Sequence, residues 1–289
     1  MDIKNFMLFL QCFNGVGEKA ITNLIRKHAF DGIELKSPED IVEWFNKNAD
    51  CFAKKVLVNN ETILAAKAKR KLIISRLSNS NADFITCFDK EYPRRLRQIE
   101  DYPPIIFYKG DLSLMNFDKI CAVIGTRKPS QDAVDLGRKL TKKMVQNGYL
   151  ILSGLAQGCD TLGHVTCLEN GGKTIAIMGT TIDTVFPKEN TELANKIIQT
   201  GGLLLSVTTE NNKWAFVRRD LLQTACSDIV IALETSSSGG TMHAAKATAK
   251  YNKQLIVIDP AVLSNCDMSG NELLIKEYAA RAISSEEQL

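Results

Sequence analysis

Residues 121–130, CAVIGTRKPS, hold the densest chemistry in this chain. The apolar run Cys121 to Ile124 reads as a short buried strand. It breaks into Gly125, Thr126, Arg127, Lys128, Pro129 and Ser130, where Gly125 permits a tight turn and Pro129 ends the strand. A helical stretch follows, from about Gln131 to Asn147. A strand, a small-residue basic loop and a helix N-terminus form a cradle for phosphate. Backbone N–H groups and the helix dipole face the anion, and Arg127 can grip two oxygens at once. An ordinary strand-to-helix turn has the same outline.

Four further segments carry candidate chemistry. Glu234-Thr235-Ser236-Ser237-Ser238-Gly239-Gly240-Thr241 is a second small-residue loop that opens a helix and can hold an anion. In Ser153-Gly154-Leu155-Ala156-Gln157-Gly158-Cys159-Asp160 the glycines let a ligand approach the backbone, and Asp160 is placed to cap the next helix. His164 lies one turn further on with no Ser or Cys partner, which makes it structural. In Phe186-Pro187-Lys188, Phe186 can stack on a base and Lys188 can reach a phosphate; each also suits a core or rim position. Trp214-Ala215-Phe216-Val217-Arg218-Arg219-Asp220 sets paired arginines beside aromatics. That combination fits a base-bearing polyanion, and equally a helix start with exposed Arg.

Other chemistries are excluded by what is missing. Neither G-x-G-x-x-G nor G-x-x-x-x-G-K-[ST] occurs, which argues against a routine dehydrogenase or NTPase. No carboxylate pair or metal-ligand cluster stands out, so no catalytic residue, metal or cofactor is expected. The eight cysteines are scattered without a C-x-x-C pair. They read as free thiols of a reducing cytoplasm. There is no apolar run of about 18 residues and no signal peptide pattern, so no membrane partner is expected.

The elements that must position these loops follow from periodicity. From residue 119 onward, six apolar strand candidates alternate with amphipathic helix-length segments: 121–124, 149–152, 174–178, 203–207, 229–234 and 255–259. The expected fold is α/β, a Rossmann-like open, mostly parallel sheet with helices on both faces. Ligands of such sheets bind at the carboxyl ends of the strands, beside a topological switch point. Residues 1–80 read as a small helical domain, with helices through 38–47 and 61–78. Gly15-Val16-Gly17 there fits a helix–hairpin–helix or SAM-like unit and, as the commoner use, a plain αα-hairpin. Residues 81–118 read as an extended connector packing on the 119–289 core. The net charge is +3; residues 1–80 carry 13 Lys and Arg against 9 Asp and Glu, and the rest 23 against 24. A polyanion site on the core must therefore be a local patch.

In order along the chain stand YPRRLRQIEDYPPIIFYKGD, VIGTRKPS, SGLAQGCD with His164, GGKTIAIMGTTIDTVFPKEN, GGLLLS, FVRR and ETSSSGGT. This series, from about Tyr92 to Asp259, resembles the DprA (Smf) family of DNA-processing proteins of bacterial natural transformation. The resemblance implies a non-enzymatic, single-stranded-DNA-binding protein that forms a homodimer and helps load a RecA-type recombinase. It implies a DNA pocket of Gly125, Arg127, Ser153, Gly154, Lys188, Arg219, Ser238 and Gly239. The reading of the loops themselves adds Thr126, Lys128, Ser130, Phe186, Arg218, Gly240 and Thr241 as candidate DNA or phosphate contacts.

The sequence departs from the family pattern in places. Gly-Ile-Asp is Gly158-Cys159-Asp160, and Ala-His is Gly163-His164. The Phe-Pro-x-Arg-Asn-Arg element reads Phe216-Val217-Arg218-Arg219-Asp220-Leu221, which loses a cation and gains an anion. The Thr-Ala near the last helix start is His243-Ala244. A C-terminal winged-helix domain is not expected, since the sequence ends soon after the last strand candidate. The alternative is a nucleotide-ligand sensor or nucleotide hydrolase on a related fold, although Ser238-Gly239-Gly240-Thr241 lacks the glycine spacing and following Glu of such hydrolases.

Overall fold

The structure, a computed structural model, describes residues 2–263 and 266–289. The chain divides into two compact units, Met1–Tyr92 with Asp101–Ile106, and Pro93–Glu100 with Phe107–Leu289. The expected connector is thus shared out: residues 81–92 and 101–106 go with the helices, and 93–100 and 107–118 with the sheet.

The first unit contains helices α1 (Ile3–Leu10), α2 (Glu18–Arg26), α3 (Pro38–Lys47) and α4 (Asn60–Asn79), followed by strand β1 (Asp83–Thr86). Their starts are written locally. The Asp2 carboxylate accepts from Asn5 N at 2.7 Å to begin α1. Reciprocal capping boxes begin α3 (Ser37 with Asp40) and α4 (Asn59 with Thr62). The core is aromatic: Phe6 meets Trp44 edge-on at 5.1 Å between ring centroids, and Phe13 lies 4.9 Å from Phe45. Gly15, at φ +88°, turns the chain between α1 and α2.

The second unit opens with the single turn α5 (Arg94–Arg97). Strand β2 (Ile105–Gly110) starts in the first unit, where Cys87 N donates to Pro104 O at 3.0 Å beside β1, and continues into the second. Then come β3 (Ile120–Ile124), α6 (Gln131–Gln146), β4 (Leu150–Ser153), α7 (Cys159–Glu169), β5 (Thr174–Ile177), α8 (Thr191–Gln199) and β6 (Leu203–Ser206). The series ends with α9 (Lys213–Cys226), β7 (Ile229–Ala232), α10 (Thr241–Lys250), β8 (Gln254–Ile258), α11 (Ser269–Tyr278) and β9 (Arg281–Ile283).

The strand order is β2-β6-β5-β4-β3-β7-β8-β9, parallel throughout except for β2, which pairs antiparallel with β6. The central strands are apolar end to end because helices cover both faces. Cys121, Val123, Ile151, Ile231 and Ile256 meet Leu140, Met144, Leu162 and Cys167 of α6 and α7 in one buried cluster.

The six strands expected from periodicity are all present, within about two residues at their ends. Two strands of this unit lay outside that reading. β2 was hidden in the connector, where Pro103 and Pro104 mask the four-residue apolar run Ile105 to Tyr108. β9 is three residues long and buries only Ile283, too short to show a period.

The topology fixes where a ligand can sit. From β3 the chain moves outward through β4, β5 and β6, then returns to the other flank of β3 with β7, β8 and β9. The reversal falls between β3 and β7, whose carboxyl ends lead into the two small-residue loops.

The antiparallel edge depends on one glycine. Gly110 sits at φ +98°, and a Cβ there would lie 2.2 Å from Gly202 O. Gly110→Ala should therefore destabilise the protein by roughly 2–4 kcal/mol in urea unfolding. An unchanged midpoint would show that β2 adds little to the sheet.

Candidate functional site

The loops after β3, β4 and β7 are tied into one body by their backbones. Thr126 N donates to Glu234 O at 2.7 Å, and Cys159 N donates to Thr126 O at 3.1 Å. The Glu234 carboxylate, itself buried, accepts from Ser130 N and Ser130 Oγ, both at 2.8 Å. Ser130 in turn caps α6 through Ala133 N. Glycines permit this closeness. A Cβ on Gly125 would lie 2.6 Å from Cys159 Sγ, and one on Gly158, at φ +75°, would lie 2.4 Å from Thr126 O.

Behind these loops runs a buried ionic tie. Arg219, on the inward face of α9, donates from Nη1 to Asp160 Oδ2 at 2.9 Å, with both side chains 7% exposed. The same Asp160 oxygen accepts from Gly154 N and Ala156 N, each at 3.2 Å. Gln223, one turn along α9, completes the set. With its carboxamide oxygen turned inward it accepts from Arg219 Nη1 and Gly154 N, both at 2.9 Å. Gly154 has no room for a side chain, since a Cβ would fall 1.3 Å from Arg219 Nη1. Arg219 Nε lies 3.1 Å from Asp220 Oδ1, an ion-pair contact too bent to be a hydrogen bond.

The expected helix cap is therefore corrected. Gly158 is the N-cap of α7, without a side-chain hydrogen bond, and Asp160 is drawn inward to Arg219 and the loop amides. A capping carboxylate and a buried tie place Asp at the same point before a helix, and only the position of α9 separates them.

In front of the tie a cavity of about 300 Å³ opens at the switch point. Gly125, Thr126 and Arg127 form one wall; Ser236, Gly239, Gly240 and Thr241 form another; Arg219, Asp220 and Gln223 form the floor. α10 begins here at Gly240 with no side-chain cap, which leaves the positive end of its dipole facing the cavity. Asp220 has its carboxyl pushed up to about 6 by burial, which outweighs the pull of Arg219. A neighbouring cavity of about 240 Å³ shares Arg127 and Arg219 and adds Phe186, Pro187 and Phe216. Phe186 is 54% exposed and meets Phe216 edge-on at 5.9 Å. Phe216 leans on Gly179, where a Cβ would lie 2.4 Å from its ring.

The fifteen residues named from sequence are thus distributed unevenly. Gly125, Thr126, Arg127, Arg219, Gly239, Gly240 and Thr241 line the first cavity, and Phe186 lines the second. Ser153 and Gly154 lie in the interior, Ser153 Oγ donating to Val123 O at 2.6 Å. Lys128, Lys188 and Ser238 are exposed and Arg218 is half-buried, outside both linings. Ser130 belongs to the Glu234 contact. Sequence reasoning did not assign Asp160, Asp220, Gln223 or Ser236 to the site. Signals were present for three of them: Ser236 lies in the second small-residue loop, Asp220 is the anion gained in the arginine element, and Gln223 stands four residues after Arg219 on the same face of α9.

His164 is fully buried, with Nδ1 2.8 Å from Thr174 Oγ1, and desolvation lowers its pKa to about 4. Among the described residues no group of His, Cys, Asp or Glu is placed to hold a metal ion, and no helix is long and apolar enough to cross a membrane.

A doubly wound sheet with a crevice at its switch point defines a Rossmann-like protein. The sequence profile of DNA recombination-mediator protein A matches residues 83–289, and the chain belongs to that family. It is 33% identical over 208 residues to the DNA processing protein DprA of Streptococcus pneumoniae, covering 70% of this chain and 71% of the relative. The X-ray structure of DprA from that species superposes with a TM-score of 0.76 at 25% identity, covering 99% of this chain and 97% of the other. A structure of DprA from Helicobacter pylori, described for its single-stranded DNA binding mode, superposes with a TM-score of 0.63 at 28% identity, covering 71% and 93%.

Removing Asp160 leaves Arg219 buried without its main partner. Asp160→Ala should cost roughly 3–5 kcal/mol in chemical denaturation. A loss below about 1 kcal/mol would mean that Asp220 and Gln223 suffice. His164 gives a pH signature. Its folded pKa lies below its unfolded value, so the unfolded chain takes up the proton first as pH falls. Its contribution should be intact above about pH 6.5 and decline toward pH 4, by up to about 3 kcal/mol. His164→Gln should remove that part of the pH dependence of the urea midpoint.

Proposed function

We propose that this chain is a recombination mediator that binds single-stranded DNA along the carboxyl edge of the sheet. The backbone passes over the two adjoining cavities, and the protein, as a homodimer, hands the strand to a RecA-type recombinase. Family membership supports the mediator role, and the H. pylori relative is described as binding single-stranded DNA. The observation that carries the site is the sharing of Arg127 by the two cavities. On one side of Arg127 stand the uncapped start of α10 and the glycine loops, which suit a phosphate. On the other stands exposed Phe186, which suits a stacked base. One nucleotide step presents those two chemistries side by side.

Arg127 is exposed, so its removal tests the path with little effect on folding. Arg127→Ala should weaken filter binding of oligo-dT, oligo-dC and oligo-dA by similar factors, because a phosphate contact carries no base information. It should also lower the slope of log K against log salt by about 0.7, the value of one single-strand phosphate. A wild-type chain that retains no oligonucleotide even at low salt would sink the proposal.

A further inference from the structure

The first cavity has carboxylates as well as arginines in its lining, and their arrangement has a consequence for which anions it accepts. Two arginines face it, Arg127 from the loop after β3 and Arg219 from α9. Two carboxylates face it as well, Asp160 from α7 and Asp220 from α9. The remaining titratable group near Asp220 is His243 of α10, which is exposed. Glu234, on the loop after β7, is turned away to Ser130. The side-chain charges therefore balance, and the uncapped start of α10 adds roughly half a positive charge.

A site balanced this way accommodates one negative charge and resists two. Asp160 cannot withdraw, because Arg219, Gly154 and Ala156 hold it. Asp220 is different. Its carboxylate meets Arg219 Nε, it lines the open cavity, and its Oδ2 comes within 4.0 Å of where a Gly240 Cβ would stand, at the start of α10. An anion seated on the α10 N-terminus is thus brought up against Asp220.

We propose that Asp220 is a specificity-determining residue that makes this cavity select a phosphodiester, with one charge, over a phosphomonoester, with two. It would admit the interior of a DNA strand and turn away free nucleotides and terminal phosphates. The inference rests on the reading of the cavity as a seat for a DNA phosphate.

The test is competition against a labelled oligo-dT bound to the full chain, at about pH 7.5, where a phosphomonoester is mostly dianionic. The competitors are thymidylyl-thymidine, which has one phosphodiester, and thymidine 5′-monophosphate, which has one phosphomonoester. In the wild type the dinucleoside should displace the label at a concentration roughly tenfold or more below that of the mononucleotide. Asp220→Asn keeps the shape and removes the charge, and should narrow the gap to about threefold or less, chiefly by improving the mononucleotide. Asp220→Ser is a second, smaller neutral replacement should the amide disturb Arg219, and should give the same narrowing. Equal displacement in the wild type, or a preference that both variants leave intact, overturns the inference while leaving the DNA-binding reading in place. A wild-type chain that binds no labelled oligonucleotide overturns that reading, and the inference falls with it.

Discussion

The pairing of Asp160 with Arg219 is the contact on which the carboxyl edge of the sheet depends. It joins α7 to α9 across the mouth of β4, and its geometry is set by more than two charges. The carboxylate also holds the amides of Gly154 and Ala156, and Gln223 holds Gly154 and Arg219 from the other side. An ion pair taken out of water contributes little net stability, because desolvation consumes most of the Coulomb gain. What it does contribute is position. A buried guanidinium with several fixed acceptors has few alternative arrangements, so the floor of the cavity is defined before any ligand arrives.

This tie acts together with the glycine contacts. Gly154 leaves space for Arg219, Gly125 lets the β3 loop lie on Cys159, and Gly158 lets the α7 entry lie on Thr126. Each loop then spends its backbone groups on its neighbours: Thr126 on Glu234 and Cys159 on Thr126. The start of α10 has no side-chain cap, its Met242 N and His243 N donating back to Gly239 O and Gly240 O. Loops tied to one another beside a helix start are what a preorganised anion site requires, since little ordering remains to be done on binding.

The fold was legible to the extent that burial writes itself into sequence. Strands β3 to β8 appear as apolar runs with at most one polar residue at an end, such as ICAVI and LILS. Strand β2 escaped because its run follows two prolines, and turn chemistry outweighed a four-residue apolar signal. At the site, the loops were legible and their inner partners were not. Asp160 at a helix start looks like a cap, and Arg219 beside Arg218 looks like a surface cation. Yet the two arginines differ completely: Arg219 is 6% exposed and engaged from several directions, while Arg218 is only half-buried. Adjacent residues on a helix point about 100° apart, so one faces the core and the next does not, and the pair as a motif carries no information on which. The charge of Asp220 was visible as a letter; that it lies in the floor of the cavity follows only from where α9 crosses the sheet.

The small net charge of the second unit now has a structural counterpart. If Arg219 is neutralised by Asp160, the first cavity presents one exposed side-chain cation, Arg127, together with a helix end. Long-range attraction for a polyanion is then weak, and a strand held there depends on close-range contacts. In the proposed function those contacts would be of two kinds, one to a phosphate in the first cavity and one to the exposed ring of Phe186, and Arg127 lines both cavities. Stacking on an aromatic face is insensitive to salt, whereas counterion release is not. An interface composed this way would bind single strands with a shallow salt dependence for its affinity. It would also disfavour a duplex, whose bases are already stacked and cannot reach Phe186 without being unpaired. The preference for single-stranded DNA in the proposed function thus follows from the balance of charges as much as from the aromatic ring.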